Sequence, residues 1–201
     1  MSLSPLESDH EVSLSPRETE PKNGSHAVKP VLGRAHPILG SAFGYPRDFL
    51  KNRFVYVVIA PRAGGLSVGV NMNPDKVCNF DCVYCEVDRV TPAKRRDIDL
   101  DQLEREMAAL LDLTLDGTLF RVSPFDTARA DQKRLNDLAF SGDGEPTTAR
   151  EFPEAVARMA ALLAARDLRD VTLVLITDSS RRQAPQIVLG MERMLATGEI
   201  W

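Results

Sequence analysis

The apolar residues of this chain fall into separate blocks with polar, glycine- and proline-marked stretches between them. Phe54-Val55-Tyr56-Val57-Val58-Ile59-Ala60 is a β-branched and aromatic run bounded by Pro61 and the Gly64-Gly65 pair, and it predicts a buried strand. Leu66-Ser67-Val68-Gly69-Val70-Asn71-Met72 alternates apolar with small or polar residues and predicts another. Three later stretches change to a helical period. Leu100, Leu103, Met107, Leu110 and Leu111 share one stripe, with Asp99 as N-cap and Gln102 three residues on. Phe152, Val156, Met159 and Leu163 form a second stripe, preceded by Thr148 and Glu151 at capping-box spacing. Ile187, Val188, Met191 and Leu195 form a third. Between the helices lie Leu138-Ala139-Phe140 and Val171-Thr172-Leu173-Val174-Leu175-Ile176, both predicted as strands. Such alternation is the pattern of an α/β fold, a parallel sheet with crossover helices. Residues 112–134 have no clear period and read as a long loop or an insertion, and the sequence carries no internal repeat.

Composition narrows this picture. The chain has 201 residues, 43% hydrophobic and 27% charged, which is the balance of a soluble globular protein with a core of its own. Residues 1–30 mix Ser2, Ser4, Ser8, Ser13, Ser15 and Ser25 with Pro5, Pro16, Pro21 and Pro30, and are expected to be a disordered tail. The folded domain is then residues 31–201. A net charge of −4 argues against a protein that coats nucleic acid. Lys94-Arg95-Arg96, with Arg89 nearby, is a short basic run that reads first as a solvated loop and second as a phosphate contact. No apolar run approaches the roughly 20 residues of a membrane helix. Met1 to Pro16 lacks the layout of a secretory signal, so a cytoplasmic location is expected.

All three cysteines lie in Cys78-Asn79-Phe80-Asp81-Cys82-Val83-Tyr84-Cys85. Thiolates select zinc, copper(I) or iron–sulfur clusters. A structural zinc site takes four protein ligands, and the histidines, His10, His26 and His36, lie in or near the tail. A four-iron cubane can be held by three thiolates with one iron left open. A disulfide plus one free thiol is the remaining alternative, and an odd one for a chain without an export signal. Ser141-Gly142-Asp143-Gly144-Glu145-Pro146-Thr147 follows the strand ending at Phe140, at the face where α/β folds bind ligands. Glycine there lets backbone approach a ligand closely, and Glu145 offers a carboxylate acceptor. Thr177-Asp178-Ser179-Ser180 ends the next strand, and serves equally well as polar ligand contact or helix cap.

The Cys-x3-Cys-x-aromatic-Cys loop followed by this Gly-x-Gly-Glu-Pro segment resembles the radical S-adenosylmethionine superfamily. The longer strings around Gly65–Val70, the cysteines and Phe140–Thr147 are similar to its Fe–S oxidoreductase branch related to wybutosine-type tRNA-modifying enzymes. The resemblance runs from about residue 54 to the end of the chain, with 112–134 unaligned. Asp143 stands where the broad family usually has glycine. The resemblance implies a partial (β/α) barrel of which about three βα units are present, open at the C-terminal edge. It implies that Cys78, Cys82 and Cys85 ligate a [4Fe–4S] cluster, with S-adenosylmethionine on the open iron. Tyr84, Ser141, Gly142, Gly144, Glu145, Pro146, Thr177 and Ser179 would bind the cofactor, Val83 and Tyr84 drying the cluster and packing against the adenine.

The implied activity is reductive cleavage of S-adenosylmethionine to a 5′-deoxyadenosyl radical, which abstracts hydrogen from a substrate. The catalytic apparatus then consists of the cluster ligands alone. The partners implied are an electron donor of flavodoxin or ferredoxin type and an unidentified substrate, with tRNA the one the branch suggests. The family's ribose- and adenine-contacting segments lie on later strands, and Gly198-Glu199-Ile200-Trp201 falls where the next strand is expected. The chain is therefore expected to be a C-terminally truncated piece, the N-terminal part of a core domain. Two alternatives stand beside the enzyme: a non-catalytic iron–sulfur-binding remnant, and an activase that installs a glycyl radical on a partner.

Overall fold

A computed structural model describes residues 49–85, 87–93, 96–181, 183–195 and 198–200. The expected tail, residues 1–30, lies outside the described residues. Among the described residues five strands form one sheet: β1 (Val55–Ala60), β2 (Gly65–Val70), β3 (Leu135–Phe140), β4 (Thr172–Leu175) and β5 (Gly198–Ile200). Three helices connect them: α1 (Leu100–Leu115), α2 (Phe152–Ala165) and α3 (Pro185–Leu195). β1 and β2 form an antiparallel hairpin through a turn closed by Gly64 N–H on Ala60 O at 3.0 Å. The remaining pairs, β2–β3, β3–β4 and β4–β5, are parallel. The strand–helix alternation thus accounts for the parallel part of the sheet from β2 onward, and the hairpin adds one antiparallel edge.

Strands lie in the sheet in chain order. Crossover connections between parallel strands share one hand, so a sequential order places all the helices on one face. The packing agrees. Val55, Val70, Phe140 and Leu175 are cross-strand neighbours, as are Val57, Val68, Leu138 and Leu173. Both rows join Leu103, Met107, Leu110, Phe152, Val156, Met159, Ile187 and Met194 in one core. The intervening rows differ in kind: Tyr56, Gly69, Ala139 and Val174, then Val58, Ser67, Asp137 and Thr172. Small and polar residues dominate that second face. Ser67 Oγ donates to the Asp137 carboxylate, which also pairs with Arg62 at 2.9 Å.

The helices start and stop for local reasons. Asp99 accepts the Gln102 amide at 2.9 Å, as expected for its N-cap role, while the Gln102 side chain donates to Glu106 Oε1 at 2.7 Å. Buried Glu106 accepts three backbone amides, from Arg53, Phe54 and Val55, and so ties α1 to the start of β1. α2 has no side-chain cap. Thr148 belongs instead to a 3₁₀ turn, Pro146–Thr148, and donates to Glu145 O at 2.7 Å. The α2 stripe is buried as expected. In α3, Ile187 and Met194 are buried and Leu195 is exposed, one position away from the predicted stripe. The aperiodic stretch is the last turn of α1 followed by three 3₁₀ turns, Thr118–Arg121, Phe125–Thr127 and Ala130–Gln132. It is anchored by buried Leu119 and Phe125, the latter edge-on to Phe49 at 5.3 Å.

Candidate functional site

The carboxyl ends of β2, β3 and β4 lie side by side in the sheet and lead into three loops. These carry the cysteines, the Gly-Asp-Gly-Glu-Pro turn and the Thr177–Ser180 segment. The structure therefore brings the residues singled out in sequence to one end of the sheet, the face where parallel α/β folds bind ligands.

The turn after β3 is built around Glu145, which is 4% exposed. Its Oε1 accepts the Thr147 amide at 3.0 Å, the Thr147 hydroxyl at 2.6 Å and the Thr177 hydroxyl at 2.8 Å. Its Oε2 accepts the Asp178 amide at 2.7 Å. Both oxygens are engaged by the chain itself. Glu145 thus fastens the β3 turn to the end of β4. Thr177 is likewise occupied, its hydroxyl also accepting the Ser179 amide at 2.9 Å. Asp178 Oδ1 accepts the Ser180 amide at 2.8 Å. These are tight local turns and not helix caps, since α3 begins only at Pro185. Ser179 is exposed and left-handed, with φ of 61°.

Two asparagines bind the cysteine loop to this turn. Asn71 Oδ1 accepts the amides of Asn73 and Asp143 at 3.0 and 3.2 Å, and its Nδ2 donates to Asp143 Oδ2 at 2.8 Å. Asn73 Nδ2 donates to Thr148 Oγ1 at 3.1 Å. Glycine is required at the two crossings. A Cβ on Gly142 would stand 2.5 Å from Asn71 Oδ1, and one on Gly144 would overlap Val77 O and reach 2.7 Å from Asn73 Cγ. Ser141 Oγ shares a hydrogen bond with Tyr56 Oη at 2.8 Å, and Pro146 is buried at the start of its 3₁₀ turn. Two buried oxygens here, Asn73 Oδ1 and Asp178 Oδ2, have no hydrogen-bond partner.

The cysteine segment itself is open. All three thiols are free; Cys78 and Cys82 are half-buried and Cys85 is exposed. Cys85 N–H donates to Cys82 O at 2.9 Å, and Asn79 Nδ2 donates to Ser180 Oγ at 2.6 Å. Arg89 Nη2 donates to Cys85 Sγ at 3.4 Å, while its Nη1 donates to Lys76 O and, at 3.2 Å, to Asp143 O. A hydrogen bond from the Val87 backbone and then the Arg89 guanidinium hold the Cys85 thiol below its ordinary range, toward the thiolate that ligates metals. A hydrogen bond with the Cys82 sulfur, together with its charge, raises the Tyr84 hydroxyl. Val83 and Tyr84 are exposed, at 102% and 81%. Among the described residues no three His, Cys, Asp or Glu side chains are already gathered as a metal site.

Of the basic run, Arg96 is exposed, and Lys94 and Arg95 lie outside the described residues. No helix among the described residues is long and apolar enough to cross a membrane. Sequence reasoning did not single out Asn71 or Asn73 as site residues, and it read Arg89 only as a neighbour of the basic run. The first two were legible as an Asn-x-Asn pair closing a strand, whereas nothing local marks Arg89 as reaching Asp143.

The chain is similar to a UPF0026 protein of Methanocaldococcus jannaschii, 29% identical over 122 residues. That match covers 61% of this chain and 32% of the relative. It is also similar to the GTPase Obg of Brachyspira hyodysenteriae, 21% identical over 132 residues, covering 65% of this chain and 16% of that protein. The chain thus spans a third or less of the length of either relative. The Gly-x4-Gly-Lys-Ser/Thr phosphate loop does not occur in this sequence. No family model and no solved structure matches the chain.

Proposed function

We propose that the loop after β2 holds a [4Fe–4S] cluster through Cys78, Cys82 and Cys85, in a partial barrel of radical S-adenosylmethionine type. When bound, such a cluster supplies the electron that cleaves S-adenosylmethionine to methionine and a hydrogen-abstracting 5′-deoxyadenosyl radical. The observation that carries the reading is an adjacency. A Cys-x3-Cys-x2-Cys loop with free thiols leaves one parallel strand, and a glycine-bounded Glu-Pro turn leaves its immediate neighbour, the two interlocked through Asn71 and Asn73.

The donor set suits the group. Three soft thiolates match an iron–sulfur cluster, and the thiols are unpaired with one another. An exposed loop with free thiols suits a site ordered by its own metal, because ligand gathering then accompanies binding. The turn suits the cofactor. Glu145 fixes the turn and the end of β4 as one rigid piece. The unpartnered Asn73 Oδ1 and Asp178 Oδ2 are acceptors for an ammonium or hydroxyl donor. Hydrogen abstraction from tRNA, with electrons from a flavodoxin- or ferredoxin-type donor, is the substrate and partner assignment carried by the branch resemblance.

The test is anaerobic reconstitution with iron and sulfide. About four irons per chain are expected with the absorption of a cubane, followed by release of 5′-deoxyadenosine on adding dithionite and S-adenosylmethionine. A loaded chain that releases none is a non-catalytic iron–sulfur protein. Uptake of zinc and no iron overturns the proposal.

A further inference from the structure

We infer that Arg89 is a positioning residue for the cysteine loop, fixing the loop to the Gly-Asp-Gly-Glu-Pro turn and holding a permanent positive charge against the Cys85 ligand so that the cluster accepts its electron more readily. This rests on the cluster reading above.

One guanidinium reaches three separate segments. It meets Lys76 O on the near side of the cysteines, Cys85 Sγ on the loop and Asp143 O on the turn after β3. Asp143 is also the residue that Asn71 engages, so the latch closes onto a point already fixed from β2. Arginine suits the task better than lysine. Its planar fork donates in several fixed directions at once, and it stays charged at any working pH. The ties made by Asn71, Asn73 and Asn79 to the neighbouring loops come from neutral side chains. Arg89 therefore brings a full cationic charge to hydrogen-bonding distance of a cysteine sulfur. Hydrogen bonds to ligand sulfur and local positive charge both raise a cluster's potential, because the reduced state carries one more negative charge. Asp88, beside it, is turned to its own Val90 and Thr91 amides, each at 3.0 Å from Oδ1.

The experiment compares wild type, Arg89→Gln and Arg89→Lys after anaerobic reconstitution. Iron per chain is measured, and the cluster is titrated against redox mediators by electron paramagnetic resonance. Arg89→Gln is expected to keep its iron and to lose about tenfold in the equilibrium for cluster reduction, equivalent to about 59 mV for one electron. Arg89→Lys is expected to recover most of that loss. Should Arg89→Gln shed iron, Arg89→Lys retains it. An unchanged potential in loaded Arg89→Gln, an equal shift in both variants, or iron loss in both overturns the role of Arg89 alone. A wild-type chain that takes up no iron overturns the cluster reading and this one with it.

Discussion

The two loops that meet at the end of the sheet are held in opposite ways. The turn after β3 is buried from Glu145 to Thr147, and Glu145 alone satisfies four donors, drawn from its own turn and from the end of β4. The cysteine loop is more open, its thiols free, Cys78 and Cys82 half-buried and Cys85 exposed. It is held at its base by Asn71 and Asn73 and at its far side by Arg89. On the iron–sulfur reading proposed above, this pairing would be the division of labour of a metal site completed by its metal, the turn ready before the group arrives and the cysteine loop shaped by it.

Four perturbations test this contrast. The largest expected effect is that of Glu145→Ala, which strands two amides and two hydroxyls. At about 1–3 kcal/mol per unsatisfied buried group, with water reaching the half-buried Thr177 side, a loss of about 3–5 kcal/mol is expected in denaturant unfolding. A loss below about 1 kcal/mol would mean the turn is not the rigid half. Gly144→Ala drives a methyl into Val77 O and Asn73 Cγ and is expected to cost about 1–3 kcal/mol, an overpacking penalty. Because it acts at the crossing of the two loops, it should also raise amide exchange in the cysteine loop. Exchange raised in the β3 turn alone would count against the interlock.

The third perturbation is one of pH. Hydrogen bonds from Thr91, side chain and backbone, hold the Asp88 carboxyl down at about 2, from 3.8. A depressed folded-state pKa contributes order that is present above the ordinary carboxylate range and lost as pH falls through the lowered value. The Val90 and Thr91 amide resonances should therefore titrate with a midpoint near pH 2, with no matching change in global unfolding. A midpoint near 3.8 would show that this turn does not form. Smallest in stability is Cys82→Ala without metal, expected within about 0.5 kcal/mol of wild type as for an ordinary surface change. The same variant should take up no cluster. A large loss of stability would mean that the loop is a packed structural element and not a ligand loop.

Much of the architecture was legible from pattern because its cause is local. Alternation in Leu66–Val70, the stripe from Leu103 to Leu111 and the Asp99 cap each follow from a handful of adjacent residues, and the structure reproduces them. The failures have long-range causes. Thr148 has capping-box spacing, yet Glu145 O and Asn73 claim its hydroxyl first. Residues 118–132 show no period because 3₁₀ turns bury single anchors, Leu119 and Phe125, in place of a stripe. The site was legible as a set of segments and not as a set of contacts. A Gly-Glu-Pro string shows a carboxylate at a turn; only the folded register shows Thr177 and Asp178 consuming it.

The sequential strand order also fixes when the site can close during synthesis. Arg89 must wait 54 residues for Asp143, and Asn79 must wait 101 for Ser180. At about 5–20 residues per second these intervals are about 3–11 s and 5–20 s. For an interval of that length the cysteine segment is outside the ribosome while its partners have yet to emerge. Its thiols meet the reducing agents, oxidants and metals of their surroundings before the loop has anything to close against.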